Sequence, residues 1–285
     1  MPLNSFRLER KAQMIRKKIR DFDIHKICNS GQCFRMHPVD GNRYRLVAYG
    51  EYLEITQEGN NVSFSCTEEE FASRWREYFD LDTDYGAIVE SVDEADAYLN
   101  AAVQCGAGMR ILRQELWEVI ISFIISQQNN IPRIRKCVEA LCLHFGEKRT
   151  TPEGIEYHTF PTPEALAGCS QEELGSCGLG YRAKYIRNTA CMIADGRVSL
   201  EMVGQMDYEA ARAELMKLCG VGIKVAECIC LFALHHVDAF PVDTHIKDML
   251  ENHYPDGFPF DRYQGFAGIL QQYAFYYELQ KAPRK

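Results

Sequence analysis

The sequence contains no long apolar run. A membrane-crossing helix needs roughly 18 to 20 consecutive apolar residues. The strongest stretch here, Trp117 to Ile125, is nine residues long and contains Glu118 and Ser122, which excludes a span. No Cys-x-x-Cys pair occurs and no cysteine follows Cys230. The ligand spacings of a zinc ribbon and of a carboxy-terminal iron–sulfur cluster are therefore missing, and no metal is expected. The twelve cysteines are scattered through apolar stretches (Cys137, Cys142, Cys191, Cys228, Cys230) of a chain large enough to fold without staples, so they read as reduced core thiols. Proline is scarce, at ten of 285 residues, and 46% of the chain is hydrophobic, which excludes disorder and collagen-like repeats. No internal repeat or linker-like stretch stands out. The amino-terminal stretch MPLNSFRLERKAQMIRKKIR lacks the apolar region and cleavage site of a secretory signal, so the expected protein is not secreted. Positive charge is also short: 32 Lys and Arg against 40 Asp and Glu give a net charge of −8. That balance argues against a nucleic-acid partner, whose phosphates are normally met by Lys and Arg. The distribution offsets it, because basic residues cluster at Arg7 to Arg20, at Arg133, Arg135 and Lys136, and at Arg182, Lys184 and Arg187.

What is present changes character along the chain. After a polar, basic lead-in, the segments RYRLVAY, YLEITQ and NNVSFSC alternate apolar and polar residues between GE and GNN turns, which predicts an antiparallel meander. From about residue 68 the periodicity becomes helical and stays so to the end. Strands followed by helices predict an α+β protein, with a β domain over 1–96 and a helical region over 97–285. Helix punctuation is explicit: Asn130 then Pro132 at a start and Gly146 at a stop, Thr162 with Pro163, and Ser170 with Glu173 as a capping box.

Residues 215 to 245, LMKLCGVGIKVAECICLFALHHVDAFPVDTH, are the most informative. An amphipathic helix from Tyr208 ends at Cys219-Gly220-Val221-Gly222, and a second apolar helix begins at once at Ile223. The pattern predicts a helix–hairpin–helix over about 208–235. Gly220 and Gly222 let the backbone turn tightly and approach a ligand. The first turn of the next helix then offers unsatisfied N–H groups to a phosphate. A tight αα-corner with a glycine cap is the alternative. Lys224 lies in that first turn, where the helix dipole disfavours a cation and so favours a nucleophilic neutral amine. A helix from Lys224 climbs about 18 Å and the extended Val237–Val242 can run back about 20 Å, which returns Asp243 to Lys224. Asp243 is equally a good N-cap for the helical stretch after it.

Gly220-Val221-Gly222-x-Lys224 followed by Pro241-Val242-Asp243 resembles the helix–hairpin–helix/Gly-Pro-Asp superfamily of DNA glycosylases. The resemblance to the 8-oxoguanine DNA glycosylase family is close and spans six blocks in order: SGQCFR, SQQNNIPRI, GLGYRAKY, the hairpin with VAECIC, PVDTH, and Gln271 with Phe275. It implies a TATA-binding-protein-like antiparallel β domain followed by an all-α helix–hairpin–helix glycosylase region. It also implies a bifunctional enzyme that flips 8-oxoguanine from duplex DNA, removes the base and nicks the strand. In that pattern Lys224 attacks the sugar C1′ and Asp243 steadies the cationic sugar. The Gly31 carbonyl meets N7–H, Phe275 and Cys228 sandwich the base, Gln271 meets its Watson–Crick edge, and the Pro241 carbonyl takes its exocyclic amine. Asn129, Arg133, Tyr181 and Arg182 match positions that fill the vacated stack and contact the orphaned partner, and His245 matches a phosphate contact. Two positions depart: Gln128 stands where the family commonly inserts an asparagine, and Met36 where an aromatic often follows the FR pair. The implied partner is duplex DNA with the lesion opposite cytosine, without metal or cofactor. The expected enzyme is a monomer in the cytoplasm, beside the nucleoid in a prokaryote. Two alternatives stay open: a glycosylase for another damaged base such as an alkylated purine, and a non-catalytic DNA-binding module.

Overall fold

A computed structural model describes residues 14–281. Five strands form one antiparallel sheet: β1 (Ile15–Lys18), β2 (Met36–Asp40), β3 (Arg43–Ala48), β4 (Glu51–Glu58) and β5 (Asn61–Phe64), in the order β1-β5-β4-β3-β2. The expected meander is β3, β4 and β5, with register Leu46↔Leu53 and Ile55↔Phe64. The structure adds β1, which lies in what reads as a polar lead-in and pairs Ile15 with Phe64. It also adds β2, which pairs Met36 with Leu46. Leu46, Leu53, Ile55, Val62 and Phe64 are buried on one sheet face. Helix α1 (Ile24–Asn29), capped by Asp23, sits beside the sheet and delivers the chain to Ser30 and Gly31.

A helical run opens at Glu68–Glu70 and passes through a π-type turn at Phe71–Trp75. Beyond it α2 (Ala97–Gly106), α3 (Leu116–Ser126), α4 (Ile131–Phe145), α5 (Arg182–Ala194), α6 (Tyr208–Leu215), α7 (Ile223–Phe232), α8 (Thr244–His253) and α9 (Ala267–Lys281) are joined by shorter turns. The caps are those the sequence announces. Asn130 accepts from Arg133 N with Pro132 beside it, Thr162 caps Ala165 N, and Ser170 with Glu173 forms a capping box. One expectation is corrected: the chain does not stay helical after residue 68, because β6 (Lys148–Thr150) and β7 (Glu156–His158) pair as a hairpin. Three-residue polar strands carry no alternation long enough to read. All twelve cysteines are free thiols, nine of them buried. Among the described residues no helix is long and apolar enough to cross a membrane.

The core is continuous from sheet to helices. Helix α3 is apolar on nearly every face and is buried between α4 and α7. It therefore fixes where the start of α7 stands relative to the turn at Gly31.

Candidate active site

A cavity of about 390 Å³ opens where the turn after α1, the end of α3, the start of α7, the entry to α8 and the middle of α9 meet. That volume lies within the range of small-ligand pockets. Gly31, Gln128, Asn129, Lys224, Cys228, Pro241, Asp243, His245, Gln271 and Phe275 all line it. Ten positions spread over 245 residues of sequence thus converge.

The site is built from helical spacing. Lys224, Cys228 and Phe232 are four apart on α7, and Gln271 and Phe275 four apart on α9, so each set presents one face to the cavity. The Lys224 ammonium lies 5.4 Å from the centre of the Phe123 ring, which is stacked on Phe232 at 5.4 Å. The Asp243 carboxylate accepts from Ile246 N at 2.9 Å and caps α8. The cap and the placement in the cavity coexist, as the sequence allows. Burial raises the Cys228 thiol, the Lys224 charge opposes that rise, and the Asp243 carboxylate adds to it. The sulfur is thus a neutral, polarizable surface at physiological pH.

Phe275, which lines the same cavity, meets the His245 ring edge-on at 6.0 Å. Gln271 is buried; its Nε2 donates to the Pro241 carbonyl at 2.8 Å, and its Oε1 is buried without a partner. Such an orphaned acceptor costs about 1–3 kcal/mol, so its presence in a cavity marks a place for a donor. Gly31 has φ +79°, and a Cβ there would meet Ile131 Cδ1 at 3.2 Å and Phe275 Cε1 at 3.3 Å. The turn is pinned from behind by Gln272 Nε2, which donates to the Ser30 carbonyl at 2.8 Å.

The surface beside the cavity is formed by two loops and the hairpin. Gly220 has φ +83°, and a Cβ would fall 2.8 Å from the Tyr185 ring; Gly222 is extended, with open space around it. Gly222 caps α7 without any side-chain partner, so no capping side chain takes up the first-turn N–H groups. Ile223 next to it is 65% exposed. Gln128 is exposed at φ +48°, a conformation few non-glycine residues adopt. Asn129 turns inward, donating to Ile125 O at 3.1 Å and accepting from Asn130 N at 3.0 Å. Arg133 is exposed, and Tyr181 is about half exposed, edge-on to Tyr185 at 5.8 Å.

Arg182 differs from a free donor. It is 4% exposed; its guanidinium lies 4.6 Å from the Tyr181 ring centre and donates to the carbonyls of Gln127, Gln128 and Leu179. It clasps the 127–128 loop from beneath. Gln127 completes that clasp by donating to Gly220 O at 2.9 Å, which ties the loop to the hairpin. Sequence reasoning missed Gln127 and Phe123. Each sits inside a run of its own kind, next to Gln128 and within the apolar α3, where nothing marks it out.

Comparison with known proteins agrees over both halves. Residues 14–120 match the family model described as 8-oxoguanine DNA glycosylase, N-terminal domain, and residues 121–257 match HhH-GPD superfamily base excision DNA repair protein. The N-glycosylase/DNA lyase of Saccharomyces cerevisiae is 38% identical over 192 residues, 62% of this chain and 50% of that protein. The N-glycosylase/DNA lyase OGG1 of Arabidopsis thaliana is 40% identical over 51% of this chain and 41% of its own length. The matched region thus spans about half the length of these curated relatives or less. Among solved structures, the Clostridium acetobutylicum 8-oxoguanine glycosylase/lyase, in complex with duplex DNA containing cytosine opposite 8-oxoguanine, superposes with a TM-score of 0.86. It shares 35% identity over 94% of this chain and 98% of that one. MBOgg1 in complex with a low-affinity DNA ligand gives a TM-score of 0.89 at 36% identity, over 95% of this chain and 97% of that one. A 3-methyladenine DNA glycosylase from Archaeoglobus fulgidus, at 20% identity and a TM-score of 0.75, shares the fold alone. With both halves matched in order, this chain belongs to the 8-oxoguanine DNA glycosylase family.

Proposed function

We propose that the protein is a bifunctional glycosylase and lyase that removes 8-oxoguanine from duplex DNA, with cytosine as the opposite base. The observation that carries this reading is the single cavity that Phe275 and Cys228 line together with the Gly31 turn, the orphaned Gln271 Oε1, Lys224 and Asp243; Phe275 and Cys228 are read as the two walls of its base slot. A flipped base stacks between ring and thiol. The Gly31 carbonyl accepts N7–H, the proton that 8-oxoguanine carries and guanine lacks, and Gln271 Oε1 accepts from the Watson–Crick edge. The exocyclic amine replaces Gln271 Nε2 on the Pro241 carbonyl.

The neutral Lys224 amine attacks C1′ as the N-glycosidic bond breaks, and the base leaves with the electron pair and takes up a proton. The Asp243 carboxylate stabilises the positive charge on the sugar in the transition state. Ring opening yields a protonated Schiff base between Lys224 and C1′. Loss of a C2′ proton then expels the 3′ phosphate by β-elimination, and water hydrolyses the Schiff base to restore the amine. No step calls for a metal or cofactor. The hairpin N–H groups at Gly220 and Gly222 and the exposed Arg133 hold the backbone, while Gln128, Asn129 and Tyr181 fill the gap the base leaves. His245 braces Phe275 and lies near the phosphate path. Arg182 supports the inserted loop from beneath. The enzyme acts as a monomer.

Borohydride trapping tests the reading on duplexes carrying 8-oxoguanine opposite cytosine, undamaged guanine, and an alkylated purine. A covalent adduct on the 8-oxoguanine duplex alone is expected. Base release from the alkylated duplex only would overturn the substrate assignment.

A further inference from the structure

The segment from Val237 to Asp243 belongs to no helix or strand, yet it carries Asp243 to the cavity that Lys224 lines. An irregular segment is only as rigid as the bonds that other elements make to its backbone. Its first half is tied by Gly268 N, which donates to Val237 O at 2.7 Å, and by Ala239 N, which donates to His236 O at 2.8 Å. Nearer Asp243, Pro241 has no N–H to offer. The backbone ties there are Gln271 Nε2 to the Pro241 carbonyl and Phe240 N to Glu227 Oε2 at 3.0 Å. The first of these is the contact a bound base displaces in the proposed function. The Phe240 bond persists through the reaction, together with the bonds that hold Asp243 at the start of α8 (Lys247 N to Asp243 O at 2.8 Å and Ile246 N to the carboxylate), and among these it is the one that ties the segment to α7.

Glu227 suits that task. It sits three residues after Lys224 on the same helix and is 5% exposed. Its carboxylate is also held by α6, with Tyr208 OH donating to Oε2 at 2.6 Å and Arg212 to Oε1 at 3.1 Å. Three donors, two of them from α6, fix the carboxylate's position, and the backbone N–H is the only one on the chain that carries Asp243. Glu227, Lys224, Phe240 and Val242 also front a common hollow of about 520 Å³, and Lys224 lines both this hollow and the base cavity. The link between α7 and the Asp243 segment is therefore short and direct.

We infer that Glu227 is a positioning residue: it anchors Phe240 N and so sets the Asp243 carboxylate against the Lys224 amine. The inference rests on the proposed roles of Lys224 and Asp243. It does not depend on which damaged base is the substrate, so a duplex with a preformed abasic site, which needs only the lysine and its carboxylate partner, is the proper probe. Single-turnover borohydride trapping and strand nicking are measured on that duplex for wild type, Glu227→Ala and Glu227→Gln, alongside duplex binding and thermal unfolding. Misplacement of a reacting group by about 1 Å costs on the order of 10²-fold. Glu227→Ala is therefore expected to trap at least about tenfold more slowly, with binding within about threefold of wild type. Glu227→Gln keeps an oxygen for Phe240 N and is expected to recover most of the rate. Should the alanine variant not fold, Tyr208→Phe/Arg212→Leu/Glu227→Leu replaces the three side chains of the network by apolar groups, which removes the buried charges and leaves Phe240 N as its unpaired donor at about 1–3 kcal/mol, and the same slow trapping is expected. Wild-type trapping rates in either variant that lacks the acceptor would overturn the inference, as would a glutamine variant as slow as alanine. Failure of wild type itself to trap the abasic duplex would instead count against the proposed function.

Discussion

At the scale of single residues the two proposed reacting groups make the sharpest test. Lys224→Gln keeps the stem against Phe123 and the volume of the cavity but removes the nucleophile. Lesion-duplex binding is expected to stay within about threefold while base release and nicking fall by about 10³-fold or more. A gel-shift paired with single-turnover excision checks both arms, and retained nicking would defeat the assignment. Gly31 is different, because its role is carried by the backbone. An alanine there has to adopt φ +79° and push a Cβ to 3.2 Å from Ile131 and 3.3 Å from Phe275. The strain costs about 1–2 kcal/mol, and the Phe275 face of the slot narrows. Excision from the lesion duplex is expected to fall by at least tenfold, whereas trapping at a preformed abasic site, which needs no base in the slot, falls far less; equal losses would show that Gly31 is an ordinary turn glycine. Lys224 was legible as a cation at a helix start and Asp243 as an acid that an extended, proline-stiffened segment returns to it, whereas Gly31 was legible only through the SGQCFR block, since a glycine after a helix is ordinary. Arg182 was legible as a charge but not as a buried one, since burial depends on the carbonyls of Gln127 and Gln128 that fold beneath it. Phe123 was invisible for the opposite reason, an aromatic among aliphatic neighbours.

At the scale of elements the hairpin separates two glycines that look alike in sequence. Gly220 sits at φ +83° with the Tyr185 ring 2.8 Å from where a Cβ would be, while Gly222 is extended with nothing within 4 Å. Gly220→Ala is therefore expected to cost about 2 kcal/mol or more of stability and to weaken duplex binding, and Gly222→Ala to stay within about 1 kcal/mol of wild type. Chemical unfolding of both variants measures the contrast; equal effects would remove the steric argument. Helices announced themselves through their caps, with Asn130, Thr162, Ser170 and Asp243 all bonded as expected. Short strands did not. β1 reads Ile-Arg-Lys-Lys and β6 Lys-Arg-Thr, and in each case pairing to a neighbour rather than side-chain alternation makes the strand.

At the scale of the molecule the α+β layout followed from the change of period near residue 68, because an alternating stretch and a 3.6-residue stretch cannot bury the same face in the same way. The halves share one apolar core, and what was not legible is the buried charge set within it. Glu118 on α3 is buried close to Arg35, which follows the α1 turn. Burial raises the Glu118 carboxyl; Arg35 opposes the rise, the nearby Glu115 and Glu139 reinforce it, and the result is a value of about 8. In the unfolded chain a glutamate titrates near 4.3. Between the two values the folded state holds a proton that the unfolded state has released, so stability falls as pH rises through that window and levels off above it. Glutamine mimics the protonated side chain and carries no such penalty. Relative to wild type, Glu118→Gln is expected to gain on the order of 1–3 kcal/mol between pH 5 and pH 8, read from urea unfolding at both values. A stability difference that is the same at the two pH values would mean that Glu118 is already ionised in the folded protein and that Arg35 compensates it fully. The join between sheet and helices would then be a buried ion pair rather than a carboxylic acid packed beside an arginine.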